Sequence, residues 1–212
     1  MKITKLTKSQ RVPDRWYMDT EDGESLAVTL NLIADYSLYT GRELTGEELA
    51  ALRGDAAKAA TKARAFRMLE AKRLSKKELT DRLLKKGETE ENARETVEYM
   101  EDLGAVNDED YARAIVEHYS ARGYGAGRVK DELYKRGIPR ELWQGALESL
   151  PEDTDALDAL IKKRLAGHED DPKALKRVTD MLLRRGYNWG EVKNALSRYE
   201  LFLQETENSE DF

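Results

Sequence analysis

The sequence predicts an all-α fold of tandem three-helix repeats, three units in an extended array, preceded by a small N-terminal β-ribbon and helices. Two observations support this prediction. After Gly54 the chain is rich in Ala, Leu, Glu, Lys and Arg and is interrupted by few prolines, which favours helices. One nine-residue pattern also occurs three times, and each copy ends in a glycine. We therefore expect helical units that stack and share a core.

The repeated pattern places apolar residues at its first, fifth and sixth positions, which lie on one face of a helix. The copies start at Leu79, Val129 and Val178 and end at Gly87, Gly137 and Gly186. The terminal glycines are about 50 residues apart, a spacing typical of repeat architectures. A second apolar pair follows each glycine, at Ala93 and Val97, Trp143 and Leu147, and Val192 and Leu196. Each repeat therefore contains a helix, a turn that ends in glycine, and another amphipathic helix.

A further helix is predicted before each copy, over residues 56–70, 109–121 and 155–165, with Asp55, Asp108 and Thr154 as N-caps. Three helices per unit divide the chain into five segments. These are the N-terminal region 1–54, the repeats 55–105, 106–152 and 153–203, and an acidic tail 204–212 that we expect to be disordered.

The N-terminal region follows a different pattern. Short β-prone runs at 3–7 and 15–18, separated by turn residues, predict a small β-ribbon. Thr29 is expected to cap a helix that Gly41 ends. Thr45 and Glu48 have the spacing of a capping box, which predicts a second short helix toward Leu52.

Composition excludes several classes of protein. The net charge of −6 argues against a simple basic nucleic-acid binder. The absence of cysteine excludes disulfides and thiolate metal sites, and fits a cytoplasmic protein. No apolar run reaches the roughly 20 residues that a membrane-spanning helix needs, so a membrane location is not expected.

No enzymatic site is predicted, and neither a metal nor another cofactor is expected. His118 and His168 are the only histidines, and neither has neighbours at metal-ligand spacing. The glycine-rich segment 123–127 lacks the Lys-Ser/Thr ending of a phosphate-binding loop and is expected to connect two helices. Acidic pairs such as Glu90-Glu91 stand at predicted helix starts, where carboxylates stabilise the helix. No small-molecule substrate is implied.

Aromatic residues fall into two groups. Tyr124, Tyr187 and Trp189 neighbour basic loops and are expected to pack in the core or between units. Trp143 and Tyr134 follow the apolar stripes and are assigned to the core.

The candidate binding residues are basic pairs that recur directly before the repeat glycines: Lys85-Lys86, Lys135-Arg136 and Arg184-Arg185. In a single helix, helix-end electrostatics explains such a pair. Recurrence at equivalent positions of stacked repeats also predicts a positive ridge along one side, suited to an anionic or nucleoprotein partner. Arg82, Arg122 and Arg128 lie close to these pairs in sequence.

The order and spacing of these motifs resemble the RecX family of bacterial regulators of the RecA recombinase. The segments that carry the resemblance are ELTDRLLKKG (78–87), LGAVNDEDYA (103–112), RGYG (122–125), ELYKRGI (132–138) and LLRRGYNW (182–189). The chain departs from the family pattern at Ala105, where an aromatic residue is usual, and at Ala126 and Gly127.

The resemblance implies a non-enzymatic regulator, in most members an inhibitor, that lies in the groove of a RecA filament on DNA. A weak direct contact with DNA is compatible with it. The implied contact residues are the matched cations Arg82, Lys85, Lys86, Arg122, Arg128, Lys135, Arg136, Arg184 and Arg185. Two alternatives stay open, a nucleic-acid-binding helical module and a general helical-repeat interaction scaffold.

Overall fold

The computed structural model describes residues 1–148, 154–169 and 171–210. These residues form two compact units. Unit 1 comprises Met1–Arg73 and Leu79–Val106. Unit 2 comprises Leu74–Glu78 and the described residues from Asn107 onward. No helix in the described ranges is both long enough and apolar enough to cross a membrane.

Unit 1 begins with an antiparallel sheet of three strands, one more than the two predicted runs. The strands are β1 (Ile3–Lys8), β2 (Trp16–Thr20) and β3 (Ser25–Val28), in the order β1-β2-β3. Gly23 adopts a φ of 82° in the turn between β2 and β3, a value that glycine allows without strain. One apolar residue per strand, namely Ile3, Met18 or Val28, is buried in a core shared with the following helices.

The helix predicted after Thr29 is confirmed, but it ends earlier than expected. The Thr29 hydroxyl accepts a hydrogen bond from the Leu32 amide at 3.3 Å and caps α1 (Leu30–Asp35). Gly41 does not end this helix. Ser37 takes the left-handed position with a φ of 48°, and the Leu38 amide closes the helix on the Ile33 carbonyl.

The Thr45 capping box is confirmed and opens α2 (Gly46–Ala71). The predicted short helix ending near Leu52 and the predicted cap at Asp55 are both wrong, because α2 continues through Gly54 for 26 residues. A glycine inside a helix costs about 1 kcal/mol, and burial of Leu52 and Ala56 on either side of it offsets that cost. The Asp55 carboxylate instead accepts a hydrogen bond from the Tyr36 hydroxyl at 2.6 Å.

The remaining helices confirm three-helix repeats after the N-terminal sheet. In the first repeat, α2 is followed by α3 (Lys76–Lys85) and α4 (Glu90–Asp102). The second contains α5 (Asp108–Ser120), α6 (Ala126–Lys135), and a 3₁₀ turn (Arg140–Leu142) that leads into α7 (Trp143–Leu147). The third contains α8 (Thr154–Leu165), α9 (Pro172–Arg184) and α10 (Trp189–Glu210).

Two further sequence predictions differ from the structure at helix ends. Asn107, not Asp108, caps α5, because its side-chain oxygen accepts from the amides of Glu109 and Asp110 at 3.0 Å. Thr154 is the first residue of α8, so the cap of that helix lies outside the described residues. α10 extends to Glu210, into the segment 204–212 that we expected to be disordered, and no glycine or proline stops it before that residue.

The recurring helices α3, α6 and α9 bury only part of the predicted apolar stripe. Side chains at the first and fifth positions are buried in all three copies: Leu79, Leu83, Val129, Leu133, Val178 and Leu182. Those at the sixth position are exposed, namely Leu84, Tyr134 and Leu183. The sixth position lies about 100° around the helix from the fifth, and these thin layers do not cover it. The assignment of Tyr134 to the core is therefore wrong, since it is 68% exposed.

Trp143 packs against the core of the second repeat, as predicted, and is half-buried. Its indole N–H donates to the Ile138 carbonyl at 3.0 Å. That carbonyl belongs to the turn after α6, so the contact joins the second and third helices of this repeat.

Candidate partner-binding surface

The basic pairs lie where the recurring helices end. Gly87, Gly137 and Gly186 have φ values of 86°, 67° and 89°, and each amide bonds back to a carbonyl of the last helical turn. This left-handed closure is nearly free of strain only for glycine. The carbonyl ends of the helices are partially negative, so cations in the last turn are stabilised there. The predicted helix stops at the three repeat glycines are confirmed.

Most of the predicted contact residues have a charged group that forms no ion pair within the described part of the chain. Among the residues that the structure describes, seven of them have no ion-pair partner, and they are exposed or half-buried. We call these seven the exposed cation set: Arg82, Lys85, Lys86, Arg122, Arg128, Lys135 and Arg184. Their guanidinium and ammonium groups can meet carboxylates or phosphates of a partner.

Arg136 differs from its neighbour Lys135, because its guanidinium is held inside unit 2. It donates to Glu132 at 2.9 Å and to the phenol oxygen of Tyr111, and Glu78 lies 3.8 Å away. Burial raises the pKa of the Tyr111 phenol, and the charge of Glu78 raises it further. Arg136 therefore balances two acidic side chains beside a buried phenol.

Arg185 is also held internally, although no acidic partner is found for it in the described part of the chain. Its Nη1 atom donates to the carbonyls of Gly123 and Arg122 at 3.3 and 3.4 Å. Its guanidinium carbon lies 5.5 Å from the centroid of the Tyr124 ring. These carbonyls follow the end of α5, so Arg185 brings a cation to the negative end of that helix.

Backbone contacts join the second and third repeats at the same place. The amides of Gly125 and Gly127 donate to the carbonyls of Arg185 and Gly186, each at 2.9 Å. An added Cβ on Gly125 would lie 2.6 Å from the Gly186 carbonyl oxygen, and one on Gly186 would lie 2.1 Å from the Arg128 amide nitrogen. Only glycine permits this approach, and the turn of the next repeat packs directly on the segment 123–127, which we call the docking loop.

A related contact joins the turn after α6 to the segment 74–78 of unit 2. The Ser75 hydroxyl donates to the Arg136 carbonyl, and an added Cβ on Gly137 would lie 2.2 Å from the Lys77 side chain. The Asp108 carboxylate also accepts from the Lys76 amide at 2.9 Å. We call the two contacts repeat junctions. Sequence reasoning missed them, although Ser75 and Gly125 stand at equivalent positions of their repeats.

The turn after α3 is anchored differently, within unit 1. Glu88, which follows Gly87, accepts from the Thr61 hydroxyl at 2.6 Å and from the Arg64 guanidinium. The carbonyl of Lys86 accepts a long bond of 3.4 Å from Arg64, while the Lys86 side chain is exposed. Both cations of the first pair therefore belong to the exposed cation set.

The aromatic residues near the basic loops have different roles. Tyr124 is half-buried, lies beneath Arg185 and packs against Tyr119 with ring centroids 5.5 Å apart. Tyr187 packs against the core of the third repeat. Trp189 is 63% exposed, so its assignment to packing is wrong. It is the first residue of α10, and its ring is exposed to solvent.

The histidines form no site in the described residues, where no group of three or more His, Cys, Asp or Glu could hold a metal ion. Both His118 and His168 are exposed. His118 stacks edge-on against Tyr119, with ring centroids 5.4 Å apart. The acidic residues at helix starts, including Glu90 and Glu91, lie in first helical turns as predicted.

Comparison with known proteins places the second and third repeats in one family. Residues 107–147 match the family description "RecX, second three-helix domain", and residues 151–196 match "RecX, third three-helix domain". A protein of Clostridioides difficile (strain 630) named regulatory protein RecX is 29% identical over 202 residues, which cover 92% of this chain and 94% of that protein. Its namesake in Xanthomonas axonopodis pv. citri (strain 306) is 31% identical over 141 residues, or 65% of this chain and 86% of that protein.

Solved structures show the same fold. A crystal structure of regulatory protein RecX superposes with a TM-score of 0.73 and 18% identity, and the match covers 93% of this chain and 98% of that one. The structure of RecX from Lactobacillus salivarius gives a TM-score of 0.63 at 20% identity, over 68% of this chain and 97% of that one. The sheet and helical repeats are therefore a shared architecture.

Proposed function

Because this chain belongs to the RecX family, whose curated relatives are named regulatory proteins, we propose that it regulates a RecA-type recombinase in the cytoplasm without catalysing a reaction. The protein binds in the groove of the recombinase filament on DNA. It limits filament growth, and through this it lowers recombination and the repair that depends on it.

The observation that carries this proposal is the exposed cation set. Five of these side chains, Arg82, Lys85, Lys86, Lys135 and Arg184, recur in or directly after the last turns of the equivalent helices α3, α6 and α9, while Arg122 and Arg128 flank the start of α6. The described residues leave all seven without acidic partners. Unpaired surface cations at a repeated position suit a partner that offers regularly spaced anions. A filament of one protein on DNA offers both carboxylates and phosphates in this way.

The net charge favours a protein–DNA filament over naked DNA. The chain carries −6 overall, so phosphates at a distance are repelled while nearby anions meet local positive charge. The exposed apolar side chains Leu84 and Leu183, beside Lys85 and Arg184, add surface that contributes little to phosphate contacts. The same helix ends can pack against protein.

The test adds the protein in several-fold excess to a RecA-type recombinase on single-stranded DNA and follows ATP hydrolysis and filament length. We expect both to fall. A variant combining Lys85→Ala, Lys135→Ala and Arg184→Ala should lose most of the effect. A control variant combining Lys5→Ala, Lys8→Ala and Lys193→Ala removes the same amount of charge from exposed lysines outside the exposed cation set. This variant should still lower ATP hydrolysis and filament length.

Three results would contradict the proposal. Unchanged ATP hydrolysis and filament length would exclude regulation of this recombinase. Tight binding to naked duplex that falls steeply with salt, with the recombinase ignored, would identify a nucleic-acid-binding module. Full filament binding by the triple variant would assign binding to another face and favour a general interaction scaffold.

A further inference from the structure

Arg136 and Arg185 occupy the second position of two basic pairs, yet their charges are directed inward. The neighbouring cations Lys135 and Arg184 are exposed, and the described residues offer them no ion pair. Consecutive residues of a helix lie about 100° apart, so one can face solvent while the next faces inward. The two members of each pair therefore act differently.

Arg185 and Gly186 contact the backbone of two residues that belong to the exposed cation set. Its guanidinium holds the carbonyl of Arg122, whose own side chain is exposed. The following glycine, Gly186, lies against the backbone and Cβ of Arg128. Arg122 and Arg128 flank the docking loop 123–127, so the junction fixes the backbone from which both cations project.

We propose that Arg136 and Arg185 are positioning residues, which lock the repeat junctions within unit 2 and thereby set where the exposed cations of unit 2, Arg122, Arg128, Lys135 and Arg184, meet their partner. This inference rests on the proposed function. Loss of the Arg185 guanidinium leaves the exposed cations in place but lets the second and third repeats move relative to each other within unit 2. Loss of the Arg136 guanidinium loosens the contact of the turn after α6 with the segment 74–78 of the same unit. Two backbone carbonyls and one aromatic face are the contacts that the described residues provide for the Arg185 guanidinium, so its junction is the more sensitive to test.

The natural chain has no cysteine, so two introduced cysteines can be labelled without background. Glu117→Cys on α5 and Lys173→Cys on α9 place spin labels at exposed sites of the second and third repeats, outside the exposed cation set. Pulsed electron paramagnetic resonance of the free full-length protein then reports the distribution of distances between the two repeats.

The decisive comparison is Arg185→Met with Arg184→Met, since the two changes remove the same charge at adjacent positions. Arg185→Met should broaden the distance distribution, and Arg184→Met should leave it narrow. On the filament, Arg185→Met should lower affinity on the order of tenfold with an unchanged salt dependence, because no intermolecular ion pair is lost. Arg184→Met should remove about one salt-dependent contact. Arg185→Lys should restore part of the narrow distance distribution and part of the affinity for the filament.

A narrow distance distribution in Arg185→Met, together with a salt dependence reduced as in Arg184→Met, would overturn the proposal and make Arg185 a direct contact. If Arg185→Met does not fold by circular dichroism, Tyr124→Leu takes its place, since it removes the aromatic face and keeps apolar bulk. An unchanged distribution in Tyr124→Leu would likewise overturn it. Failure of the unmodified protein to bind filaments contradicts the proposed function, while the distances still decide whether Arg185 locks the junction.

Discussion

The backbone amide of Gly127 donates a hydrogen bond of 2.9 Å to the carbonyl oxygen of Gly186. The end of one helix thus meets the start of a helix in the preceding repeat without an intervening side chain. The amide donors at a helix start and the carbonyl acceptors at a helix end are the groups that a helix leaves unpaired. The junction satisfies both, and this explains why glycines stand on either side of it.

Substitution at Gly186 tests this close approach. Gly186→Ala combines a left-handed φ of 89° with a Cβ that would lie 2.1 Å from the Arg128 amide. We expect it to lower the free energy of unfolding by about 2–4 kcal/mol, measured by urea denaturation. Gly167→Ala is the control, with a φ of 75° but open space around the Cβ, and should cost about 1 kcal/mol. Equal losses would mean that the junction relaxes.

Substitution at Glu88 tests the anchor of the first repeat's turn. Glu88→Gln removes the charge that accepts from Arg64 and from the buried hydroxyl of Thr61. We expect a loss of about 1 kcal/mol in the free energy of unfolding. Glu117→Gln, at an exposed glutamate on α5, should change it by less than about 0.5 kcal/mol. A neutral Glu88→Gln would show that the turn needs only the glycine.

The Tyr111 phenol should make the free energy of unfolding depend on pH in the alkaline range. Its pKa is raised above the usual 10.0, first by burial and then by Glu78, so folding favours the protonated phenol. The stabilisation is fully present below pH 10.0 and is lost as the pH rises through the folded-state pKa. We therefore expect the stability advantage over Tyr111→Phe to shrink above that pH in urea titrations. A constant difference would contradict this assignment.

The ion pair between Asp158 and Arg198 should contribute measurably to the third repeat. It is bidentate, with bonds of 2.7 and 2.6 Å, and its side chains are 34% and 39% exposed. A double-mutant cycle with alanine should give a coupling of about 0.5–1 kcal/mol. The same cycle on Arg94 and Glu98, which are 3.9 Å apart and more exposed, should give about 0.3 kcal/mol or less. Equal couplings would mean that solvent screens both pairs alike.

Features with a local cause could be predicted from the sequence. The glycine stops and the capping box at Thr45 depend on a few neighbouring residues and on backbone geometry, so their patterns predict them. The length of α2 could not be predicted in the same way. A glycine such as Gly54 ends a helix or is tolerated inside one according to the packing of its neighbours, and that packing is tertiary.

The candidate site could likewise be predicted only in part from the sequence. The sequence identifies the basic pairs, but it does not distinguish Lys135 from Arg136, since both stand in the last turn of one helix. The distinction depends on Tyr111 and Glu78, which reach Arg136 only in the folded chain. The sixth position of the stripe shows the same limit, because periodicity marks it as apolar while the thickness of the layer decides its exposure.

The repeat junctions have a direction, because each turn docks onto the start of a helix in the preceding repeat. In the third repeat the start of α9 is closed by its own residues instead. The Asp171 carboxylate accepts from the Lys173 amide at 2.9 Å, and Pro172 begins α9 without an amide hydrogen. Duplication of a repeat during evolution could therefore lengthen the chain between the second and third repeats. A copy added after the third would meet a helix start at which the Lys173 amide already bonds to Asp171 and Pro172 donates no hydrogen bond.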